Sequence, residues 1–165
     1  MKRLIICLVM VVLMSGSAFA QCNVEAYFSP YDDVETVVVD RLSGAQETIN
    51  CSLYGITNAK ITQTLIDKMS EGVSVTLCLD KTQSAGKSST HKKLKAKGAD
   101  IVIKKSAVLE HNKFCVIDGT RVIMGSWNYS GNAQKQDNSM VEITACNDII
   151  DKFEAAFERI YQRDK

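Results

Sequence analysis

Apolar positions change their period along the chain, and each change marks an element. Asn23 to Phe28 reads as a first strand, closed by Ser29-Pro30. Behind Asp32 and Asp33, which cap, Val34, Val37, Val38 and Leu42 recur at helical spacing until Gly44. Glu47 to Tyr54 reads as a second strand. Asn58 then caps a helix that carries Ile61, Leu65, Ile66 and Met69 on one face and stops at Gly72. Val73 to Leu79 is almost wholly apolar, as expected of a strand buried on both faces. A polar loop at 80–88, a lysine-rich helix from Ser89 to Lys97 and a strand from Asp100 to Ile103 complete this half.

The second half changes character. Two apolar runs flank Asp118-Gly119, the strongest short-range hairpin signal a sequence offers. The spacing predicts antiparallel strands over 111–117 and 121–127. A loop at 118–119 pairs His111 with Ser126, and a loop at 119–120 pairs it with Asn128. In both registers His111 and Lys113 share one face, with Ser126 and Asn128 across from them. A polar loop from Ser130 to Asn138 leads to a strand at Ser139–Thr144. Asn147 caps a last amphipathic helix that turns Ile149, Ile150, Phe153, Phe157 and Ile160 inward. Strand–helix alternation followed by antiparallel strands predicts one α/β domain. It has a mixed central sheet of about seven strands with helices on both faces.

The first 20 residues stand apart from this pattern. Met1-Lys2-Arg3 is a basic start, Leu4 to Met14 an apolar run, and Ala18-Phe19-Ala20 a small-x-small cleavage site. They read as an export signal removed near Ala20-Gln21, which leaves a mature domain at 21–165 in the periplasm or the medium. The apolar run is too short for an ordinary transmembrane helix.

Charge changes the picture only through its distribution. Losing Lys2 and Arg3 turns 20 basic and 19 acidic groups into 18 and 19, a net charge of −1. Bulk charge therefore gives no argument for a nucleic-acid partner. From Lys81 to Lys105, however, eight lysines (Lys81, Lys87, Lys92, Lys93, Lys95, Lys97, Lys104 and Lys105) stand against Asp100 alone. That run is either a solvated face or a track for a phosphate backbone.

Five cysteines remain after processing, and an odd count leaves at least one thiol free. Cys51, Cys78 and Cys115 lie in apolar runs and read as small core residues; Cys22 and Cys146 are the candidate pair. Gly86-Lys87-Ser88 resembles the end of a phosphate-binding loop. The full pattern needs a glycine where Lys81 stands, so nucleotide binding by that route is set aside.

Six identities within 18 positions carry the chemistry: His111, Lys113, Asp118, Gly125, Ser126 and Asn128. A phosphodiester repels nucleophiles, so its cleavage needs a cation and hydrogen-bond donors around the phosphoryl oxygens. Lys113, Ser126 and Asn128 supply those, and the His111 imidazole is a competent nucleophile. This pattern resembles the signature of the phospholipase D superfamily, and the mature chain resembles its small secreted single-motif bacterial endonucleases. The resemblance extends to the Phe28-Ser29-Pro30 segment, the strand–helix alternation and the closing helix.

The resemblance implies a phosphohistidine on His111, no metal and no cofactor. It implies an orienting role for Asp118 and a homodimer in which a second copy of His111 is the general acid. The other histidine, His91, lies in the lysine-rich helix and reads as a substrate-path or surface residue. One departure is visible. Relatives commonly carry a Glu shortly after Gly-Ser-x-Asn; here Ser139 occupies that place, and Glu142, the nearest acid, falls three residues late.

For the substrate, a minimal chain, the lysine run and the lack of a basic amphipathic segment with exposed aromatics favour nucleic acid. Trp127 alternates away from Ser126 and Asn128, which suits packing better than base stacking. A phospholipase D-type hydrolase of phosphatidyl groups or cardiolipin is the rival enzyme. A non-catalytic nucleic-acid-binding protein on the same scaffold is the third reading.

Overall fold

The first three helices begin where a side chain can satisfy free backbone amides. In the computed structural model, which describes residues 21–165, Asp33 accepts from the Thr36 amide ahead of α1 (Val34–Ser43). Asn58 accepts from Lys60 and Ile61 ahead of α2 (Ala59–Ser70), and Asp80 from Thr82 and Gln83 ahead of α3 (Lys81–Ser84). The last of these is a single turn inside the segment expected to be loop. Helix α4 (His91–Ala96) and the long α5 (Asn147–Asp164) complete the set, with Cys146 rather than Asn147 at the N-cap of α5. The export signal expected at 1–20 lies outside the described residues.

Seven strands form one mixed sheet in the order β1-β7-β6-β5-β2-β3-β4. They are β1 (Asn23–Ser29), β2 (Thr48–Leu53), β3 (Ser74–Leu79), β4 (Asp100–Ile103), β5 (Lys113–Ile117), β6 (Arg121–Gly125) and β7 (Asn138–Thr144). β2, β3 and β4 run parallel, and the remaining pairings are antiparallel. Alternate residues face opposite ways. Ile49, Cys51, Leu53, Leu77 and Ile123 pack under α1, α2 and α4, against Val38, Leu65 and Leu94. Phe114, Val116, Val122 and Ile143 pack on the other side against Ile150 and Phe157 of α5. The fold is thus the expected α/β sheet with helices on both faces.

The central hairpin takes neither expected register. Asp118 and Gly119 both have positive φ (51° and 59°), and the Thr120 amide closes onto the Ile117 carbonyl. The ladder resumes at Ile117↔Arg121, so Thr120 is an extra loop residue and the register falls midway between the two alternatives. Lys113 is thereby level with Gly125. Beyond Gly125 the Ser126 and Trp127 amides both donate to the Ser139 carbonyl (2.9 and 3.3 Å), a bulge that ends the strand.

Cysteine use also differs from expectation. Cys51 and Cys115 are directly opposed on β2 and β5 and form a disulfide rather than separate packing residues. Opposition across an antiparallel pair is what brings their Cβ atoms within reach, and that follows from the register alone. Cys22 and Cys146 are joined as anticipated. Among the described residues Cys78 is the free thiol, and burial pushes its pKa up to about 12.

The C-terminal end of α5 holds the 104–112 segment in place. Asp164, 2% exposed, accepts the Lys105 and Ser106 amides at 3.1 and 3.0 Å and lies 3.8 Å from the Lys104 ammonium. Burial opposes its ionisation. The two amides and the Arg163 guanidinium outweigh that and hold its pKa at about 2. Because this lies below the ordinary carboxylate value, the stabilisation is complete above about pH 4 and is lost as the pH falls through about 2.

Two stability outcomes follow from these contacts. Asp164→Asn is expected to lose about 1–3 kcal/mol in urea unfolding at neutral pH, with the difference from the parent narrowing as acid titrates the parental carboxylate. Gly125→Ala sets a Cβ inside the contact distance of the Ser139 carbonyl oxygen and 2.9 Å from Met140 Cα. The same titration is expected to report a loss of about 1–3 kcal/mol, against little change for Gly131→Ala, whose Cβ meets open space.

Candidate active site

The C-terminal ends of β2, β3, β4 and β6 and the N-terminal ends of β5 and β7 meet along one rim of the sheet. Ligand sites in open α/β sheets gather at such rims. Here the chain enters β5 through Glu110, His111 and Asn112. Glu110 is 2% exposed, and its carboxylate accepts both the Asn112 backbone amide (3.1 Å) and the Asn112 side-chain amide (2.8 Å). The Asn112 carbonyl takes the Tyr54 amide at 2.8 Å. These bonds use up the backbone that would have extended β5 to His111. The strand begins at Lys113 instead, and His111 is turned out to solvent.

Tyr54, the first residue after β2, is the side chain that gathers the site. Its ring meets the His111 imidazole edge-to-face at 4.7 Å, and the Lys113 ammonium lies 5.1 Å from its centroid. Lys113 is only 9% exposed, and its ammonium donates to the His111 carbonyl at 2.7 Å. Burial pulls the Lys113 pKa below its ordinary value, while the Glu110 carboxylate pushes it back up. The result is a desolvated cation beside an exposed imidazole. An open cleft of about 250 Å³, walled by Phe114, Met124 and Phe153, leads to both.

Ser126 and Asn128 leave the end of β6, next to the start of β5. The Ser126 hydroxyl accepts the Ser139 amide at 3.0 Å and donates to the Asn138 side chain at 3.2 Å. Asn128 presents a buried Oδ1 without a hydrogen-bond partner. Trp127 packs in the core, 2% exposed, with its ring edge-to-face on Tyr129. Four predicted site residues, His111, Lys113, Ser126 and Asn128, therefore stand at one rim.

Asp118 does not join them. It lies at the far end of β5, roughly 20 Å away at about 3.3 Å per residue. There its carboxylate accepts the Gln46, Glu47 and Thr48 amides at 2.8, 2.8 and 2.9 Å. Burial opposes its ionisation, and the three amides outweigh it and lower its pKa. Its orienting effect acts on the backbone that starts β2, with no contact to His111.

Glu142 is equally remote. It faces α1 and is held by Arg41 and Arg121, each at 2.7 Å. At the position where relatives carry their Glu, the Ser139 backbone instead ties Ser126 on both sides of the bulge. His91 is not a surface residue. It is 6% exposed, with Nδ1 2.9 Å from the Ser89 hydroxyl. Burial, and then Lys92 and Lys95, lower its pKa.

Two contributors escaped the reading of the sequence. Tyr54 could have been found, because it ends a strand that reaches the same rim as the motif. Glu110 carries no motif of its own; its bonds to Asn112 and its ion pair with Lys104 appear only in the fold.

Comparison with known proteins bears on the family and the fold. Residues 38–161 match the family model described as cardiolipin synthase, PLD-like domain. A phospholipase D of Rickettsia bellii is 28% identical over 137 residues, covering 83% of this chain and 68% of that protein. A mitochondrial cardiolipin hydrolase of Chlamydomonas reinhardtii is 27% identical over 127 residues, covering 77% of this chain and 57% of that protein. Among solved structures, Nuc from Salmonella typhimurium, a phospholipase D family member, superposes with a TM-score of 0.82 at 20% identity, covering 88% of this chain and 97% of that one. NucT from Helicobacter pylori gives 0.80 at 19% identity, covering 86% and 97%. With the family model spanning most of the described residues and the fold shared throughout, the chain belongs to the phospholipase D-like phosphodiester hydrolases.

Proposed function

We propose that the chain is an exported, metal-independent nuclease that cleaves DNA or RNA through a phosphohistidine and works as a homodimer. The observation that carries the reading is the exposed His111 imidazole set beside the buried Lys113 ammonium at the sheet rim. A desolvated ammonium gains most from an anion, and a phosphate offers two non-bridging oxygens to it.

In the first step an imidazole nitrogen of His111 attacks phosphorus in line. The bond from phosphorus to the leaving oxygen breaks, and that oxygen takes a proton from His111 of the partner subunit. In the second step water attacks the phosphohistidine and gives its proton back to the same partner imidazole. The phosphorus–nitrogen bond breaks, and both histidines are restored. Lys113, Ser126 and Asn128 hold the phosphoryl oxygens through both steps.

A two-fold axis near the rim brings two copies of His111 face to face and supplies the acid that one chain lacks. Lys81, Lys87 and Lys92, at the same rim, favour a polyanion as substrate.

A second reading has its own observation. Val108 and Leu109, 63% and 57% exposed, stand just ahead of His111. Two apolar side chains beside a nucleophile suit a phosphodiester presented in a lipid surface. The phospholipase D and cardiolipin hydrolase named among the relatives lend it weight.

Plasmid DNA mixed with mature 21–165 in excess EDTA is expected to be nicked, and His111→Ala to slow nicking by at least about a thousandfold. An intact plasmid together with hydrolysis of cardiolipin in vesicles would move the assignment to the lipid reading. Binding without turnover of either substrate would move it to a non-catalytic role. Sedimentation equilibrium is expected to give twice the mature chain mass; a monomer that still cleaves would remove the partner subunit from the mechanism.

A further inference from the structure

Beside the His111 cleft lies a second one of about 470 Å³, between α3, the 84–89 turn and α4, with Ile103 on its far wall. Three lysines line it: Lys81, Lys87 and Lys92. All three are exposed, and none forms an ion pair with a described residue. Other members of the lysine run are committed elsewhere. Lys104 is buried between Glu110 and Asp164, Lys105 reaches the Lys165 carbonyl, and Lys93 reaches Gln63. Within the run, Lys81, Lys87 and Lys92 are the members that converge on one cleft.

The cleft is more than a solvated lysine face, because its floor is polar and buried. Ser84 is 6% exposed and its hydroxyl has no hydrogen-bond partner; a hydroxyl can turn to serve an acceptor as well as a donor. His91, also 6% exposed, lines the same floor. Its Nδ1 is 2.9 Å from the Ser89 hydroxyl. A buried hydroxyl without a protein partner, such as that of Ser84, is normally matched by something. The Gly86-Lys87-Ser88 turn resembled a phosphate loop but lacked the glycine at position 81. In the folded chain, that position's lysine returns to the same cleft as Lys87.

Side-chain contacts link His111 to α3, whose Lys81 and Ser84 line the second cleft. Gln83 of α3 donates to the Tyr54 hydroxyl at 2.8 Å, and the Tyr54 ring packs on His111.

We propose that the Lys81–Lys87–Lys92 cleft is a second phosphate subsite, which binds a phosphate flanking the scissile one on a nucleic-acid strand. The assignment deepens the nuclease reading and rests on it. It makes a chain of phosphates the preferred ligand, bound by its backbone without regard to base sequence.

The test measures binding apart from cleavage. A short labelled single-stranded oligonucleotide is titrated in EDTA against the full mature chain carrying His111→Ala, with anisotropy read over a range of salt. Adding Lys87→Ala and Lys92→Ala is expected to weaken binding about tenfold. It is also expected to flatten the plot of log affinity against log salt by about 0.7, the value for one lost phosphate contact on a single strand. Lys87→Arg with Lys92→Arg keeps both values near the parent, as does Lys152→Ala on α5. Parental affinity and slope in the alanine pair would overturn the subsite while leaving plasmid cleavage, and so the nuclease reading, intact. No oligonucleotide binding by the His111→Ala parent also overturns it, and takes the nuclease reading with it where the wild-type chain leaves plasmid uncut. A pair that loses affinity only for cardiolipin-containing vesicles overturns it in favour of a lipid surface.

Discussion

The junction of β2 and β5 is the constraint on which the rest depends. It is the one place where the parallel half of the sheet meets the antiparallel half. The register there sets Cys51 opposite Cys115 and Leu53 opposite Lys113, and the Tyr54 amide then closes onto the Asn112 carbonyl. A slip of one residue would turn every side chain of β5 to the other face. It would withdraw Lys113 from Tyr54 and part the two cysteines. The disulfide, the aromatic contact with His111 and the buried ammonium thus report the same alignment.

Buried charge shapes the rim around that junction. Lys113, Lys104, Glu110 and Asp164 are each no more than 9% exposed, and charges taken out of water are unfavourable without partners. Glu110 stands between the two lysines, 3.8 Å from the Lys104 ammonium and close enough to Lys113 to raise its pKa. Its other oxygen is occupied by Asn112. Lys104 is held from both sides, whereas Lys113 has one neutral carbonyl and an aromatic face. The under-partnered cation is the one that faces the cleft, and this asymmetry separates a structural ion cluster from a site prepared for an anion.

Much of this could be read from the chain. The apolar runs around Asp118-Gly119 located the hairpin, the strand–helix alternation gave the mixed sheet, and the period of two kept Trp127 out of the site. The misses share one cause, which is that they depend on register or on contacts between distant segments. Asp118 and Gly119 both adopt positive φ, as in a two-residue turn, yet the ladder resumes only at Arg121, and a run of turn-forming residues does not say where its ladder resumes. Cys51 and Cys115 looked like packing residues because each sits in an apolar run, and only the β2–β5 alignment opposes them. His91 followed the lysines in the sequence but turned inward. Asp118 was read as a member of the site, whereas it holds the three amides that open β2 at the other end of the sheet.

The edge strand β1 has a consequence for how the chain reaches this state. Its register partners run from Thr144 back to Asn138, and Cys22 is bonded to Cys146 across a separation of 124 residues. No β1 ladder bond can form until β7 exists, while the β2–β3 and β5–β6 pairings close over far shorter spans. Contacts of such long range form slowly because loop closure opposes them before any pairing gains. β1, the most N-terminal of the described strands, therefore depends for its place on the far end of the domain, and the covalent link between Cys22 and Cys146 acts as a latch that keeps it there.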